Sequence, residues 1–197
     1  ATGAVVAADE VGVVGVMGAY LEAVLSLAEE LGAAELPSHF EVGVLREVEA
    51  AAEILQDVYG VSSDVWSVTS FTQLRNEGLE KQRWNMLHPE EEPQVPYVTK
   101  ALRGRKAPVV AASDYIKVHA DQIRPFVRNH FTALGTDGFG RSDSRQQLRH
   151  FFEVDRYFVT VAALNALADK GQIGRSKVAE ALRRFGIKSD KPYPPHV

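Results

Sequence analysis

The stretch APVVAASDYIKVHADQIRPFVRNHFTAL, Ala107 to Leu134, decides the fold class. Ala107 to Ala112 is a short apolar, β-branched run of the length of a buried strand. Asp114 is placed to cap a helix over Tyr115 to Val127, which Pro125 ends or kinks. Phe131 to Leu134 then reads as another short strand, followed by a Gly-rich turn from Gly135 to Gly140. Two short apolar strands separated by a helical segment are the signature of parallel pairing, because parallel neighbours need a long crossover between them.

Upstream, Leu45, Val48, Ala52, Leu55 and Tyr59 trace one face of an amphipathic helix that Gly60 ends. Asp64 to Thr69 (DVWSVT) alternates and is rich in aromatic and β-branched residues, as a strand should be. Ser70 and Gln73 form a capping pattern, so the next helix begins at Ser70 and runs past Gly78, which weakens it, to Trp84. Pro89 to Pro96 is a loop carrying the acidic run Glu90 to Glu92. Downstream, Asp143 with Gln146 is a second capping pattern ahead of a helix bearing Leu148, Phe151 and Phe152. Tyr157 to Lys170 and Ser176 to Phe185 are two further helices split by Gly171. The Pro-rich tail from Lys188 should be loosely ordered.

At the amino terminus, Val11, Val13, Val14, Val16 and Met17 favour a buried strand. Leu21, Val24, Leu25, Ala28 and Leu31 recur at helical spacing before Gly32, and Gly32 to Gly43 is a connector. Strands alternating with helices over this length predict an α/β three-layer sandwich, a mostly parallel sheet covered on both faces.

The 197 residues, 45% hydrophobic and 24% charged, suffice for one sizeable core. A formal charge of −4 and a pI near 5.9 supply no basic field for nucleic acid or anionic membrane. The absence of cysteine excludes disulfides, thiol nucleophiles and Cys-ligated zinc, and is compatible with the cytoplasm. Val11 to Leu31 is broken by glycines and glutamates and does not read as a membrane span. Ala1 to Ala8 has no basic n-region, so the start reads as that of a domain excised from a longer chain rather than as a signal peptide.

Three stretches carry a family resemblance: DVWSVTSFTQLRNEGLEKQRWNMLHP (Asp64 to Pro89), PVVAASDYIKVHADQIRPFV (Pro108 to Val127) and LGTDGFGRSDSRQQLRHFFEVD (Leu134 to Asp155). The third is the most specific, since Thr-Asp-Gly-Phe-Gly followed by Arg-Ser-Asp-Ser-Arg does not arise from helix or strand patterning. Together they resemble the carboxy-terminal, transketolase-C-like domain of the homodimeric bacterial pyruvate dehydrogenase first component. The resemblance covers roughly Val44 to Ser189. It implies a sheet of about five strands and three regions: an atypical amino-terminal segment over 1–43, the transketolase-C-like domain over 44–189 and a flexible tail over 190–197. Residues 1–43 depart from the family, either as the first strand with Tyr20 to Gly43 inserted or as unrelated sequence joined upstream.

The resemblance also implies a chemistry. Thiamine diphosphate and magnesium decarboxylate a 2-oxo acid, and the acyl unit passes to a lipoyl acyltransferase. In the family the cofactor lies between the two preceding domains at a dimer interface, so this chain alone should not bind it and no catalytic, cofactor or metal residue is carried over. The expected partners are the thiamine-binding domains or subunits and an acyltransferase or acyl carrier protein, in a dimeric or heteromeric assembly. Competing readings are a non-catalytic module docking such a carrier, or a split enzyme of specialised metabolism that loads one.

Asp137 and Asn165 have the spacing of a magnesium-holding pair in thiamine enzymes. Thr136 stands where that signature has Gly, however, and Asn165 falls within a helix pattern, so a tight turn through Gly135, Gly138 and Gly140 is the better reading. The densest charge constellation is Asp137, Arg141, Asp143, Arg145, Arg149, Glu153 and Asp155. Its arginines could grip an anion, but ion pairs at a domain interface fit better. Asp137, Arg141, Asp143, Arg145, Arg149 and His88 are therefore the interface candidates. Ser142 and Ser144 have no nearby His to make a nucleophile. The six histidines form no ligand pair, and His88, before Pro89, reads as a hydrogen-bonded structural residue near a domain junction. Trp66 and Trp84 read as core or junction anchors.

Overall fold

The computed structural model describes residues 14–15 and 43–197. In chain order the elements are β1 (Val14–Gly15), α1 (Leu45–Tyr59), α2 (Phe71–Leu87), α3 (Tyr97–Ala101), β2 (Val109–Ala112), α4 (Val118–Asp121), β3 (Phe131–Leu134), α5 (Arg145–Phe151), α6 (Arg156–Asp169) and α7 (Arg175–Arg184), with single 3-10 turns at Arg124–Phe126 and Pro194–His196. The three strands form one parallel sheet in the order β1-β2-β3, with Val14 opposite Ala111 and Val109 opposite Phe131.

All four residues of β2 are buried, and their alternation divides the core in two. Val110 and Ala112 face a cluster with Val48, Ala51 and Leu55 of α1, Val159, Ala163, Leu164 and Leu167 of α6 and Ala181 of α7. Val109 and Ala111 face the other way, onto Phe71, Val98, Ala120, Ile123, Phe126 and Phe131. Helices therefore cover both faces of a parallel sheet, which explains why β2 reads as a continuous apolar run rather than an alternating one. Full burial of Leu55, Leu164 and Leu167 stabilises the fold by about 1.5–3 kcal/mol each before entropic costs.

Local chemistry sets the helix ends. Gly60 closes α1 at φ 66°, and the following Val61 donates its N–H to the Leu55 carbonyl while burying its side chain in the first core. Ser70 caps α2, its Oγ accepting from the Gln73 N–H at 3.2 Å, as the capping pattern requires. Gly78 weakens that helix for a reason: a Cβ there would lie 2.5 Å from the buried ring of Phe126. The carboxylate Oδ1 of Asp155 accepts from both Tyr157 and Phe158 N–H groups at the start of α6.

Four sequence expectations shift. The helix expected over Tyr115 to Val127 is reduced to α4 and a 3-10 turn. Asp114 does not cap it; Ser113 Oγ takes the Tyr115 N–H, the Tyr115 carbonyl accepts from Thr136, and Pro125 removes the donor that a continuous helix would need. The cap of α5 is Ser144, whose Oγ accepts from Gln147 N–H, one residue beyond the expected Asp143, which bonds the Ser144 N–H instead. Asp64 to Thr69 has no ladder among the described residues: both edges of β2 are taken by β1 and β3, and Trp66 and Val68 pack instead against the second core. A short helix, α3, follows the Pro89 to Pro96 loop, where none was anticipated.

The helix expected over Tyr20 to Leu31, the connector from Gly32 to Val42 and all of the Val11 to Met17 strand except Val14 and Gly15 lie outside the described residues. The Pro-rich tail makes definite contacts: Lys191 Nζ donates to the Phe151 carbonyl at 2.7 Å and to Glu153 Oε1 at 2.9 Å, and Pro194 is buried. Among the described residues no helix is long and apolar enough to cross a membrane.

Candidate functional site

The chemistry-bearing residues gather beyond the carboxyl ends of β2 and β3. The Thr136 N–H donates to the Tyr115 carbonyl at 2.9 Å, and its hydroxyl donates to the Asp114 carbonyl at 2.8 Å. Asp137 returns the connection, its Oδ2 accepting from the Lys117 N–H at 3.1 Å. Gly135 is required by close approach, since a Cβ would meet the Tyr115 carbonyl oxygen at 2.5 Å. Gly138 is required by conformation, with φ +123° and the Pro194 carbonyl 2.9 Å from where its Cβ would be. Gly140 has open space around it, so only part of the Gly-rich turn is dictated by backbone geometry.

The interface candidates do not act as one stripe. Arg141 lays its guanidinium 4.1 Å from the Phe151 ring centroid, a cation–π contact at the surface. Asp143 is exposed and bonds locally to Ser144. Arg145 is exposed and lines a cleft of about 270 Å³ with Asp114, Thr136, Leu148, Arg149 and Phe152. Arg149, one turn further along α5, points inward: it is 13% exposed and pairs with Glu47 at 3.4 Å, with Asp114 at 3.9 Å. His88 stands apart, as the residue closing α2. Its Nδ1 lies 2.9 Å from the Trp84 carbonyl and its ring stacks on Trp84 at 4.3 Å and 12°.

Sequence reading missed the hub of this region, Glu47. Its carboxylate accepts from the backbone N–H and Nε of Arg156 at 3.1 and 2.8 Å, as well as from Arg149. Burial alone would raise its pKa, but the hydrogen bonds and positive charge of Arg156, with Arg149 behind, hold it below the usual carboxylate range. The same contacts push the Arg156 pKa up. The available signal was a charged residue in the first turn of α1, on the same side as Val48 and Ala51. A second missed device is reciprocal: Asn85 Nδ2 donates to the Gln94 carbonyl at 2.9 Å and its Oδ1 accepts from Gln94 N–H at 2.7 Å, closing the acidic loop.

Asp137 and Asn165 are engaged separately, Asp137 with Lys117 and Asn165 with Asp169 on its own helix at 3.0 Å. Among the described residues no group of three His, Asp or Glu side chains is placed to hold a metal. Carboxylates and arginines here tie loops and helix ends together.

Residues 43–155 match the family model described as the transketolase-like TK C-terminal domain. This chain belongs to that family. Its curated relatives include proteins named pyruvate dehydrogenase E1 component. The one from Cupriavidus necator is 54% identical over 151 residues, and those from Pseudomonas aeruginosa and Escherichia coli K12 are each 53% identical over 152 residues. Each match covers 77% of this chain and 17% of the relative, so the chain spans about a sixth of the length of the proteins it resembles. Family membership accounts for the parallel sheet with helices on both faces, and for the TDGFG turn as part of the matched segment.

Proposed function

We propose that this chain is the C-terminal domain, or a split subunit, of a thiamine-diphosphate-dependent pyruvate dehydrogenase first component, bracing the domain and dimer interface of an enzyme that oxidatively decarboxylates a 2-oxo acid. The observation that carries the reading is identity above 50% over the domain to relatives named pyruvate dehydrogenase E1 component. In this reading thiamine diphosphate and magnesium are held by the preceding domains, and the acyl unit leaves on a lipoyl or carrier-protein partner in the cytoplasm. The boundaries 1–43, 44–189 and 190–197 belong to the same reading, as does a sheet of about five strands.

Asp137, Arg141, Asp143, Arg145 and Arg149 serve the bracing role in two ways. Arg149 and Asp137 fix the loops internally, while Arg141, Asp143 and Arg145 face outward at the same end of the sheet. His88 closes α2, its ring stacked on Trp84 in the last turn of that helix. A carrier-docking module built on an Arg145 and Arg149 stripe has less support, because Arg149 is committed to Glu47.

The experiment has two arms. Calorimetric titration of the 197-residue chain with thiamine diphosphate and Mg²⁺ should give no binding heat. A chimera carrying residues 44–197 in place of the matched portion of the Cupriavidus necator relative should bind the cofactor and decarboxylate pyruvate. A folded chimera that binds thiamine diphosphate but turns over no 2-oxo acid would count against the reading.

A further inference from the structure

The two cores are not filled alike. The largest wholly buried side chains, Leu55, Leu164 and Leu167 among them, lie in the first, and none of them belongs to the second. On that second side of the sheet lies a cavity of about 270 Å³, to which β2 contributes Val109 and Ala111, β3 Phe131, α2 Phe71 and α3 Ala101. Val109, Ala111, Phe71 and Phe131 are nearly closed to solvent, at 3%, 1%, 4% and 6% exposed. A further wall is the strap from Trp66 to Ser70, which joins no sheet among the described residues. Arg105 fixes the leading end of the strap, paired with Asp64 and with its guanidinium 5.2 Å from the Trp66 ring centroid.

Native cores pack as densely as organic crystals, so a space of this size calls for an occupant. Water is poorly served there, because each buried molecule needs several polar partners. Ser67 and Thr69 occupy exposed positions of the strap while Trp66 and Val68 pack inward, and the Ser70 hydroxyl is spent on capping α2. No charged side chain lines the cavity, so an ionised ligand would be buried without a counter-charge. We infer that the cavity is a binding site for a small, neutral, planar aromatic molecule, held among the rings of Trp66, Phe71 and Phe131. An apolar cavity of about 150 Å³ holds benzene, so the larger space here suits two fused rings. Such a ligand is rigid and loses little conformational freedom on binding. The inference goes beyond the enzyme reading and does not rest on it, since thiamine diphosphate is charged and this cavity has nothing to hold charge.

The test titrates the 197-residue chain with indole and follows its side-chain methyl resonances. Val98, Val109 and Val127, which line the cavity, should shift saturably with a Kd below about 1 mM, while Val48 and Leu164 of the first core stay unmoved. Indole-3-carboxylate, with the same rings and a charge, should bind at least about tenfold more weakly. Ala101→Leu and Ala111→Val fill the space from different elements, and each should weaken indole binding by roughly tenfold or more. Circular dichroism checks that each variant folds, and the wild-type titrations decide alone if neither does. The inference is overturned by the absence of a saturable shift, by shifts that fall equally on both cores, by a carboxylate that binds as tightly, or by a folded, filled variant that binds indole as the wild type does.

Discussion

Glu47 and Arg156, 109 residues apart in sequence, are joined at the amino ends of two neighbouring helices: Oε2 of Glu47 accepts both the backbone N–H of Arg156, at 3.1 Å, and its Nε, at 2.8 Å. The contact does two things at once. It satisfies a donor at the start of α6 that has no partner within its own helix, and it places a carboxylate near the positive ends of α1 and α6. Arg149 adds a third connection from α5. Glu47→Gln keeps the shape but removes the charge that both arginines face. It should lower unfolding free energy by about 2 kcal/mol, less than for a fully buried pair because Arg156 is 42% exposed. Urea denaturation of the two proteins checks this.

The same carboxylate gives a pH dependence with a definite sign. The pKa of Glu47 is lowered in the folded protein, so the unfolded state binds the proton more readily. Its contribution is fully present above the ordinary glutamate pKa of about 4.3 and is lost as pH falls through the lower folded value. The stability gap between wild type and E47Q should therefore hold constant from neutral pH to about pH 5 and then close on further acidification. A gap that widens toward acid would contradict the assignment. Arg156, with its pKa raised, stays charged throughout this window.

Gly78→Ala sets helix propensity against packing. In an exposed helix the change should stabilise by about 1 kcal/mol. Here the new methyl would lie 2.5–2.7 Å from three atoms of the Phe126 ring, which is itself only 4% exposed and packed in the second core. Packing wins, and the variant should be destabilised by about 1–3 kcal/mol. G78A combined with Phe126→Leu should recover part of that loss in thermal denaturation, because the ring is what obstructs the methyl.

This glycine illustrates what the sequence revealed and what it hid. Gly78 read as a weak point in a helix, which it is locally; its cause, a ring 48 positions away, is a tertiary fact with no local signal. The strong periodic elements were legible because burial imposes the period: Val48 and Leu55 on α1, and the wholly apolar β2. Capping was legible at Ser70 and slipped by one residue at Asp143, where Ser144 stands beside it. The segment after β2 misled because the Tyr115 carbonyl and the Lys117 N–H are spent on the loop after β3, a long-range use that outweighs helix propensity. Of the candidate site, the TDGFG turn was visible as a motif. The unequal burial of Arg145 and Arg149 was not, because a four-residue spacing on a short helix does not reveal which of them meets Glu47.

Glu153 closes α5 in a left-handed conformation, φ +63°, which costs a non-glycine residue roughly 1 kcal/mol. The strain persists because the position is fixed from both sides: Val154 N–H donates to the Arg149 carbonyl, and the Glu153 carboxylate accepts from Lys191 of the tail at 2.9 Å. Glu153→Gly relieves the backbone but severs the tail contact, a part-buried ion pair worth about 1 kcal/mol. The two effects should nearly cancel in the wild-type background, leaving stability changed by less than about 0.5 kcal/mol. In a Lys191→Met background the ion pair is already gone, and the glycine should stabilise by about 1 kcal/mol. A double-mutant cycle in urea measures the difference directly. Equal effects in both backgrounds would mean that the Lys191–Glu153 pair contributes nothing, and that the tail is held by the Lys191 bond to the Phe151 carbonyl and by buried Pro194.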